Sequence, residues 1–504
     1  MSAAVDGGGA VRFAKNPVVQ FLAAAADDPR APEARLELAA SYEALKDRAR
    51  AIDTLRRAAA SRPGDPKPLQ RLSDLQLRLG EWRSAIETLQ ASEARLPDTA
   101  SRAALHLRIG SILRDLGRDA PNAAQSFLRA AELDPFSDGT GALVALYDAA
   151  GDARGGLETV LREIADIRRA LAADPLDLRR AKRLAEYLAM ARSRGASAPV
   201  AEAEAAVASV LRLIQDQPPP SRAEPWNRMR PFVPTAARAF WAELAHPAAG
   251  GFAGEVWPQL VEAALLLFPP PSPRGRRATA AGTADPRFAW IEASAAALGV
   301  TGLHIYLARE PAAAVVAVED PAPGLVLAPD IEALPEAPFH VGRALGVLVQ
   351  RATVLERASA DDVAPLFACA AIAAGVPPPA GLPRPSEELL RTVMRGIGRK
   401  ERKALVLQAS RFAFESFDLT AWHEGVLRTA DRLGLMMAGD VARAAQALAG
   451  GEAAGDHPSA PAAGVATSPS ALDLVRYALS EQYAALRRSV DDAASARAAG
   501  KAPR

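Results

Sequence analysis

The chain has 504 residues, which is long enough for two or three domains with cores of their own. Its 60 lysines and arginines almost balance its 59 aspartates and glutamates, so the overall charge gives no reason to expect binding to nucleic acid or to an anionic membrane. The single cysteine, Cys369, excludes an internal disulfide and a cysteine-based zinc cage, and the apolar run LFACAAIAA around it indicates a buried thiol.

The first residues show no targeting signal. Residues 1–16 lack a basic start followed by an apolar stretch, so we expect a disordered N-terminus and no secretory signal. The only long uncharged segment, residues 363–383, contains Pro365 and three successive prolines and is interpreted as a buried helix followed by a loop. We therefore predict a cytoplasmic protein with no segment inserted in a membrane. Its alanine-rich and arginine-rich composition fits a high-GC bacterial genome.

A repeat with a period of 34 residues is predicted to organise residues 17–215. Its second helices share a small-large-small pattern followed by proline: Ala51, Leu55 and Ala58, then Ala85, Leu89 and Ser92, then Ala123, Phe127 and Ala130. Each is preceded by another amphipathic helix that carries a small residue, Ala39, Ser73 or Gly110. The third copy has an insertion at residues 119–121, a weaker fourth pair covers 141–175, and two further helices close the stack.

This pattern resembles the tetratricopeptide repeat, whose helix pairs stack into an α-solenoid. The resemblance implies a concave face that binds a partner protein or an extended peptide. Four basic side chains on first helices are candidates for holding a carboxylate of that partner: Arg35, Lys67, Arg71 and Arg108. The alternative for each of them is a solvated helix surface.

The run QDQPPPSRAEPW breaks the helical pattern, and we predict a proline-rich linker over residues 216–236. A second domain is predicted over residues 237–450. It has helices near 234–244, 257–268 and 288–298, a flexible loop over 269–287, and three short strands, GLHIYLA, AAVVAVE and GLVLAP. The whole chain is thus predicted to be mainly α, with an α-solenoid followed by an α+β domain that has a small sheet.

After the strands come the helix PFHVGRALGVL and, further on, the helix WHEGVLRTADRLGLMMAGD. Over residues 284–450 this order resembles the HtpX-type and CAAX-prenyl zinc peptidases, whose zincin-like fold binds zinc through a His-Glu-x-x-His helix and a later glutamate. The resemblance places Arg343, Ala344 and Val347 at the His-Glu-x-x-His positions and Leu427 at the third ligand. None of the four can bind zinc or activate water, so the resemblance implies a pseudoenzyme without metal. A helical domain unrelated to that family is the alternative.

One feature of the family is retained at Ala430 and Asp431. In the family, the aspartate of this Ala-Asp pair supports the first zinc histidine. The resemblance therefore implies that Asp431 lies opposite Arg343 and forms a structural ion pair where the metal site would be. The alternative is that both side chains point to water.

The sequence contains no motif for another metal site, for a catalytic nucleophile or for phosphate binding. The six histidines are scattered, with no two spaced to share a helix face, and neither a nucleophile elbow nor a phosphate-binding glycine loop occurs. The basic run RGIGRKERK, residues 395–403, is interpreted as a solvent-facing helix start, because no aromatic residues that would stack on bases accompany it. We therefore expect no metal, no cofactor and no nucleic-acid partner.

The C-terminal region is predicted in three parts: a low-complexity loop over 451–470, a helix over 471–490 capped by Ser470, and a frayed tail over 491–504. Together these expectations describe a non-catalytic scaffold or adaptor. Its repeats bind a protein partner, and its zincin-like domain offers a second binding surface. Two alternatives are a hydrolase of unrecognised type in the second domain and a structural assembly subunit.

Overall fold

The structure is a computed structural model, and the chain divides into two compact units, Met1–Glu163 and Ile164–Arg504. The residues described are 22–25, 32–196, 199–217, 226–234, 236–271, 275–277, 285–309, 313–319, 322–415, 417–452 and 461–498. The predicted disordered segment, residues 1–16, lies outside them. The division between the units falls inside one helix, ahead of the predicted linker at 216–236, whose bounds stay a prediction.

The first unit is built from helices that pack in consecutive pairs, as the repeat predicts. Residues 22–25 are also helical. The helices are α1 Pro32–Ala44, α2 Arg48–Ser61, α3 Lys67–Arg78, α4 Trp82–Ser92, α5 Thr99–Ile112, α6 Ala120–Leu133 and α7 Gly139–Ala149, and α8 Ala153–Ala173 contains the division.

The positions that define the repeat form the core of this unit. Every member of the small-large-small pattern is buried: Ala51, Leu55, Ala58, Ala85, Leu89, Ser92, Ala123, Phe127 and Ala130. In the third pair, the small residue of the first helix lets the two helices approach closely, because a Cβ added to Gly110 would lie 2.5 Å from the ring of Phe127. The 34-residue period therefore identified the contacts that hold each helix pair together.

The extra length of the third copy lies elsewhere than predicted. Residues 119–121 are an ordinary helix start, because Asp119 caps α6 by accepting a hydrogen bond from the backbone N–H of Asn122. Ala39 and Ala51 are 12 residues apart, as are Ser73 and Ala85, whereas Gly110 and Ala123 are 13 apart. A π-helical turn, Leu113–Gly117, follows α5 and accommodates the additional residue.

The second unit contains the remaining helices and a sheet. Its helices are α9 Leu178–Ser193, α10 Val200–Ile214, α11 Ala237–Leu244, α12 Gly251–Leu267, α13 Ala289–Ala297, α14 Ala337–Val349, α15 Ala360–Ala373, α16 Glu387–Gly396, α17 Arg399–Leu407, α18 Leu419–Ala438, α19 Val441–Glu452, α20 Pro461–Thr467, α21 Pro469–Ala478 and α22 Glu481–Ala498. Helices α9 and α10, predicted to close the stack, belong to this unit, where α10 also packs against α19 and α22.

The sheet has the three predicted strands and one more. Its strands are β1 Gly275–Arg277, β2 His304–Ala308, β3 Val315–Glu319 and β4 Pro323–Leu327, in the order β1-β2-β4-β3. The pair β2 and β4 is parallel, with Ile305 opposite Leu325, and the other two pairs are antiparallel. Strand β1 lies inside the segment predicted as a flexible loop, because three residues without a β-branched side chain give no strand signal. Strand β3, at one edge, packs against α14.

The C-terminal region differs from the prediction in its boundaries. Part of the predicted loop, residues 461–467, forms α20, and the serine that caps α21 is Ser468, which accepts a hydrogen bond from the backbone N–H of Ala471. The predicted single helix is interrupted at Ser480, whose hydroxyl accepts a bond from the N–H of Tyr483 at the start of α22. Helix α22 then continues to Ala498, through part of the predicted tail.

Candidate functional site

The first helices of successive repeats are joined by arginine side chains. Arg71 on α3 donates from Nη1 to the backbone carbonyl of Leu36 on α1 at 3.3 Å, and Arg78 on α3 forms an ion pair with Glu43 on α1. One repeat further on, Arg108 on α5 forms an ion pair with Asp74 on α3. We call the surface of α1, α3 and α5 that carries these side chains the first-helix face. Helix α3 carries both signs of charge on this face, so it pairs with α1 on one side and with α5 on the other.

The four cations predicted to bind a partner therefore divide into two groups. Arg71 and Arg108 bind groups of their own chain, so they contribute to stacking of the repeats. Lys67 is exposed and Arg35 is half-buried, and neither side chain has a hydrogen bond or ion pair within the described residues. Arg35 and Lys67 are thus the two predicted cations that the chain leaves available for a carboxylate.

In the second unit, α14 and α18 cross with their backbones in contact. A Cβ added to Gly342 would lie 2.9 Å from the Cα of Gly434, and one added to Gly346 would lie 2.8 Å from the Cα of Ala430. Both distances are shorter than real Cβ contacts, so this approach requires glycine at 342 and 346. The crossing fixes the position of Arg343, which lies between the two glycines.

Arg343 lies between two carboxylates. Its Nε donates to Oδ1 of Asp431 on α18 at 2.8 Å, and its Nη1 donates to Oε1 of Glu356 in the loop after α14. The Asp431 side chain is only 4% exposed, whereas that of Arg343 is 28% exposed. Burial alone would lower the pKa of Arg343, but the charges of Asp431 and Glu356 outweigh it and raise the pKa above its usual value. The structure brings together the predicted pair and adds Glu356, which no sequence motif indicated.

The residues at the other positions of the zinc motif do not fit a metal. Ala344 and Val347 are buried in α14, and Leu427 is half-buried in α18, so none offers a ligand atom. In the described part of the chain, no three histidine, cysteine, aspartate or glutamate side chains gather where they could hold a metal ion. The nearby His423 binds the backbone, because its Nε2 donates to the carbonyls of Leu355 and Ala358, each at 2.9 Å.

The loop after α14 connects several elements through side chains. Arg351 has a left-handed backbone with φ of 53°, and its guanidinium binds Glu319 on β3 at 3.3 Å and Glu262 on α12 at 2.9 Å. Thr353 donates from Oγ1 to Glu319 at 2.7 Å. Glu356 belongs to the same loop, so this loop links Arg343 to the sheet and to α12.

A second buried charged group lies on α18 and α21. Arg432 is 7% exposed and contacts Asp473 at 3.7 Å and the ring of Tyr477 at 4.3 Å to its centroid. His246 contacts the other carboxylate oxygen of Asp473 at 3.6 Å. Burial would raise the pKa of Asp473, but the hydrogen bond with His246 and the charge of Arg432 hold it below its usual value. Since Arg432 and His246 both pair with the Asp473 carboxylate, we assign this group to the packing of α21 on α18.

Comparison with known protein families finds a match in the first unit. Residues 44–109 match the family model described as "Tetratricopeptide repeat". The N-terminal region contains tetratricopeptide repeats. The matched segment includes the stacking contact between Arg108 and Asp74 and the second repeat in full. The predicted α-solenoid and the mainly α fold with a small sheet are thus confirmed.

Three solved structures resemble part of the chain. One titled "Crystal structure of MamA" is 17% identical, with 36% of this chain and 93% of that chain covered and a TM-score of 0.21. A second, "Crystal structure of MamA protein", is 16% identical over 37% and 92% of the chains with a TM-score of 0.22, and "MamA MSR-1 C2" is 23% identical over 30% and 84% with a TM-score of 0.22. No curated protein sequence matches the chain. Among the described helices, none is long and apolar enough to cross a membrane.

Proposed function

We propose that this protein is a non-catalytic scaffold, an adaptor whose tetratricopeptide repeats bind a partner protein or an extended peptide. The observation that carries the proposal is the repeat match over residues 44–109 together with the first-helix face, where Arg35 and Lys67 lack partners among the described residues. A stack of this kind offers a continuous surface to a linear segment. A carboxylate of that segment would bind either cation by charge-assisted hydrogen bonds.

We propose that residues 237–450, within the second unit, form a degenerate zincin-like domain that serves as another binding surface. Support comes from Arg343, which stands where the resemblance puts the first zinc ligand and forms ion pairs with Asp431 and Glu356. Carboxylates paired in this way are not available as a general base or as metal ligands. No catalytic residue is assigned to this domain, and the cytoplasmic location stays a prediction from the sequence.

A peptide selected from a displayed random library against the full chain tests the first part. Its affinity is measured by fluorescence anisotropy for the native chain and for Arg35→Glu and Lys67→Glu. Each variant should bind about ten-fold more weakly, the equivalent of one charge-assisted hydrogen bond. The matched control is Arg56→Glu, an exposed arginine on α2, a second helix of the repeats. Equal affinities for all four proteins would reject the first-helix face as the site.

The second part is tested by the metal content of the full chain, measured by elemental mass spectrometry after dialysis against a weak chelator. The proposal expects zinc far below one ion per chain. One tightly held zinc per chain would mean that the alignment of Arg343, Val347 and Leu427 with the zinc motif is wrong. An enzyme would then have to be considered.

A further inference from the structure

Helix α17 presents an unusual surface in the second unit. It is fixed to the body through Leu405, which is fully buried, while six of its nine residues are exposed. The exposed residues are Arg399, Lys400, Arg402, Lys403, Val406 and Leu407. At about 100° per residue they fall within an arc of about 160° around the helix axis, so they form one continuous surface. We call it the α17 outer face.

The apolar part of this surface is strongly exposed. Leu407 is 79% exposed and Val406 is 52% exposed, and Phe414, which follows the 3₁₀ turn Ala409–Ala413, is 89% exposed. Seven large apolar residues are exposed in the described part of the chain, and these three lie within nine residues of one another. Exposed apolar residues that cluster in this way mark an interaction surface. Val406 and Leu407 are the last two residues of α17, and Phe414 follows seven residues after Leu407.

The cations of the α17 outer face are not neutralised by the protein. Within the described residues, Arg399, Lys400, Arg402 and Lys403 form no ion pair, and Arg402 donates only to the carbonyl of Met394 at 3.5 Å. Arg411, a few residues on, is by contrast held by Glu255 and Glu415. The face therefore combines four free positive charges with projecting apolar side chains.

We propose that the α17 outer face, together with Phe414, docks this protein on the surface of an anionic phospholipid bilayer. The four cations would bind lipid phosphates, while Leu407 and Phe414 enter the boundary between headgroups and acyl chains. A fluid lipid layer accommodates single projecting side chains, whereas a protein partner would need a matching pocket for each. Helix α17 has nine residues, which is too short to span a bilayer, so the docking is peripheral.

Cosedimentation with vesicles tests this docking in the full chain. The native protein should bind vesicles of phosphatidylcholine with about one third phosphatidylglycerol, and should bind pure phosphatidylcholine at least about ten-fold more weakly. Binding should weaken as sodium chloride is raised from about 0.05 to about 0.5 M, because screening shortens the reach of the four cations.

Two double variants separate the charged from the apolar contribution. Lys400→Glu/Lys403→Glu should weaken binding at least about thirty-fold, at about five-fold or more for each cation lost. Leu407→Ser/Phe414→Ser should weaken it at least about ten-fold. All four residues are exposed, so the fold should be retained, which circular dichroism checks.

The matched controls lie elsewhere on the surface. Arg48→Glu/Arg56→Glu on α2 makes the same change in net charge, and Leu116→Ser/Leu266→Ser removes two other exposed leucines. Both controls should bind anionic vesicles like the native chain. The proposal is overturned if the native chain ignores anionic vesicles, if salt has no effect, or if the α17 variants bind like the controls. Binding to polyglutamate or DNA without binding to vesicles would also overturn it, and would assign the face to an acidic polymer.

Discussion

Replacing Arg343 by methionine should destabilise the second unit markedly. The substitution keeps most of the aliphatic stem but removes the guanidinium that donates to Asp431, whose side chain is 4% exposed. Removing one partner of a buried ion pair costs about 3 to 5 kcal/mol, and Glu356, at 20% exposure, regains water and adds little. We expect a loss of about 3 to 4 kcal/mol in the free energy of unfolding, seen as a fall of about 4 to 6 °C in Tm by calorimetry.

Arg411→Met is the matched control for this experiment. Arg411 also binds two carboxylates, Glu255 and Glu415, but these are 51% and 44% exposed, so its removal should cost at most about 1 kcal/mol. Adding Asp431→Asn to Arg343→Met removes the buried negative charge and should restore about 1 to 3 kcal/mol. Equal losses for Arg343→Met and Arg411→Met would refute the buried ion pair, and so would a double variant less stable than Arg343→Met alone.

Four further predictions concern the second unit. Gly346→Ala should lower the free energy of unfolding by about 1 to 3 kcal/mol in urea titrations, because its Cβ would meet the backbone of α18, and a loss below about 0.5 kcal/mol would contradict the close crossing. Ser359→Ala, which removes the capping box of α15, should cost about 1 kcal/mol in the same assay. Burial raises the pKa of the Cys369 thiol to about 11, so the thiol of the folded protein should resist Ellman's reagent at about pH 8, whereas the chain unfolded in urea should react fully. A fast reaction of the folded protein would contradict this burial. Burial lowers the pKa of His340 below its ordinary value of about 6.5, so below that pH the unfolded chain binds more protons than the folded protein. The contribution of neutral His340 to the free energy of unfolding is therefore present above about pH 6.5 and is lost as the pH falls. His340→Gln should make the free energy of unfolding fall less steeply between about pH 7 and pH 5.

The repeats were predictable because one physical requirement recurs at a fixed spacing. A small residue must face a large one wherever two helices pack closely, and Gly110 against Phe127 satisfies the same need as the alanine and leucine positions before it. The aspartate caps Asp98 and Asp119 also begin helices, but the repeat pattern assigns Asp119 to an insertion. The π-helical turn was missed because a single added residue can be absorbed by a connection or by a widened turn, and the sequence does not distinguish these.

The Arg343 cluster was predictable only in part. The position of Asp431 followed from a family resemblance, whereas Glu356 lies in a loop 13 residues after Arg343 and is brought there by the path of the backbone. The α17 outer face left a signal in the sequence, RKERKALVL, where apolar residues follow four cations. Which side of that helix is buried depends on the contact made by Leu405, and a nine-residue pattern of mixed polarity does not determine it.

The crossing of α14 and α18 has a consequence for how this protein tolerates mutation. Between most packed helices the spacing depends on side chains, which change rotamer when a neighbour changes size. At Gly342 and Gly346 the two main chains touch, and a main chain has no comparable freedom. We therefore expect substitutions elsewhere in the core to leave the separation of Arg343 and Asp431 unchanged. Through the two glycines, the distance between α14 and α18 at the charged cluster depends on the main chain and not on the side chains around it.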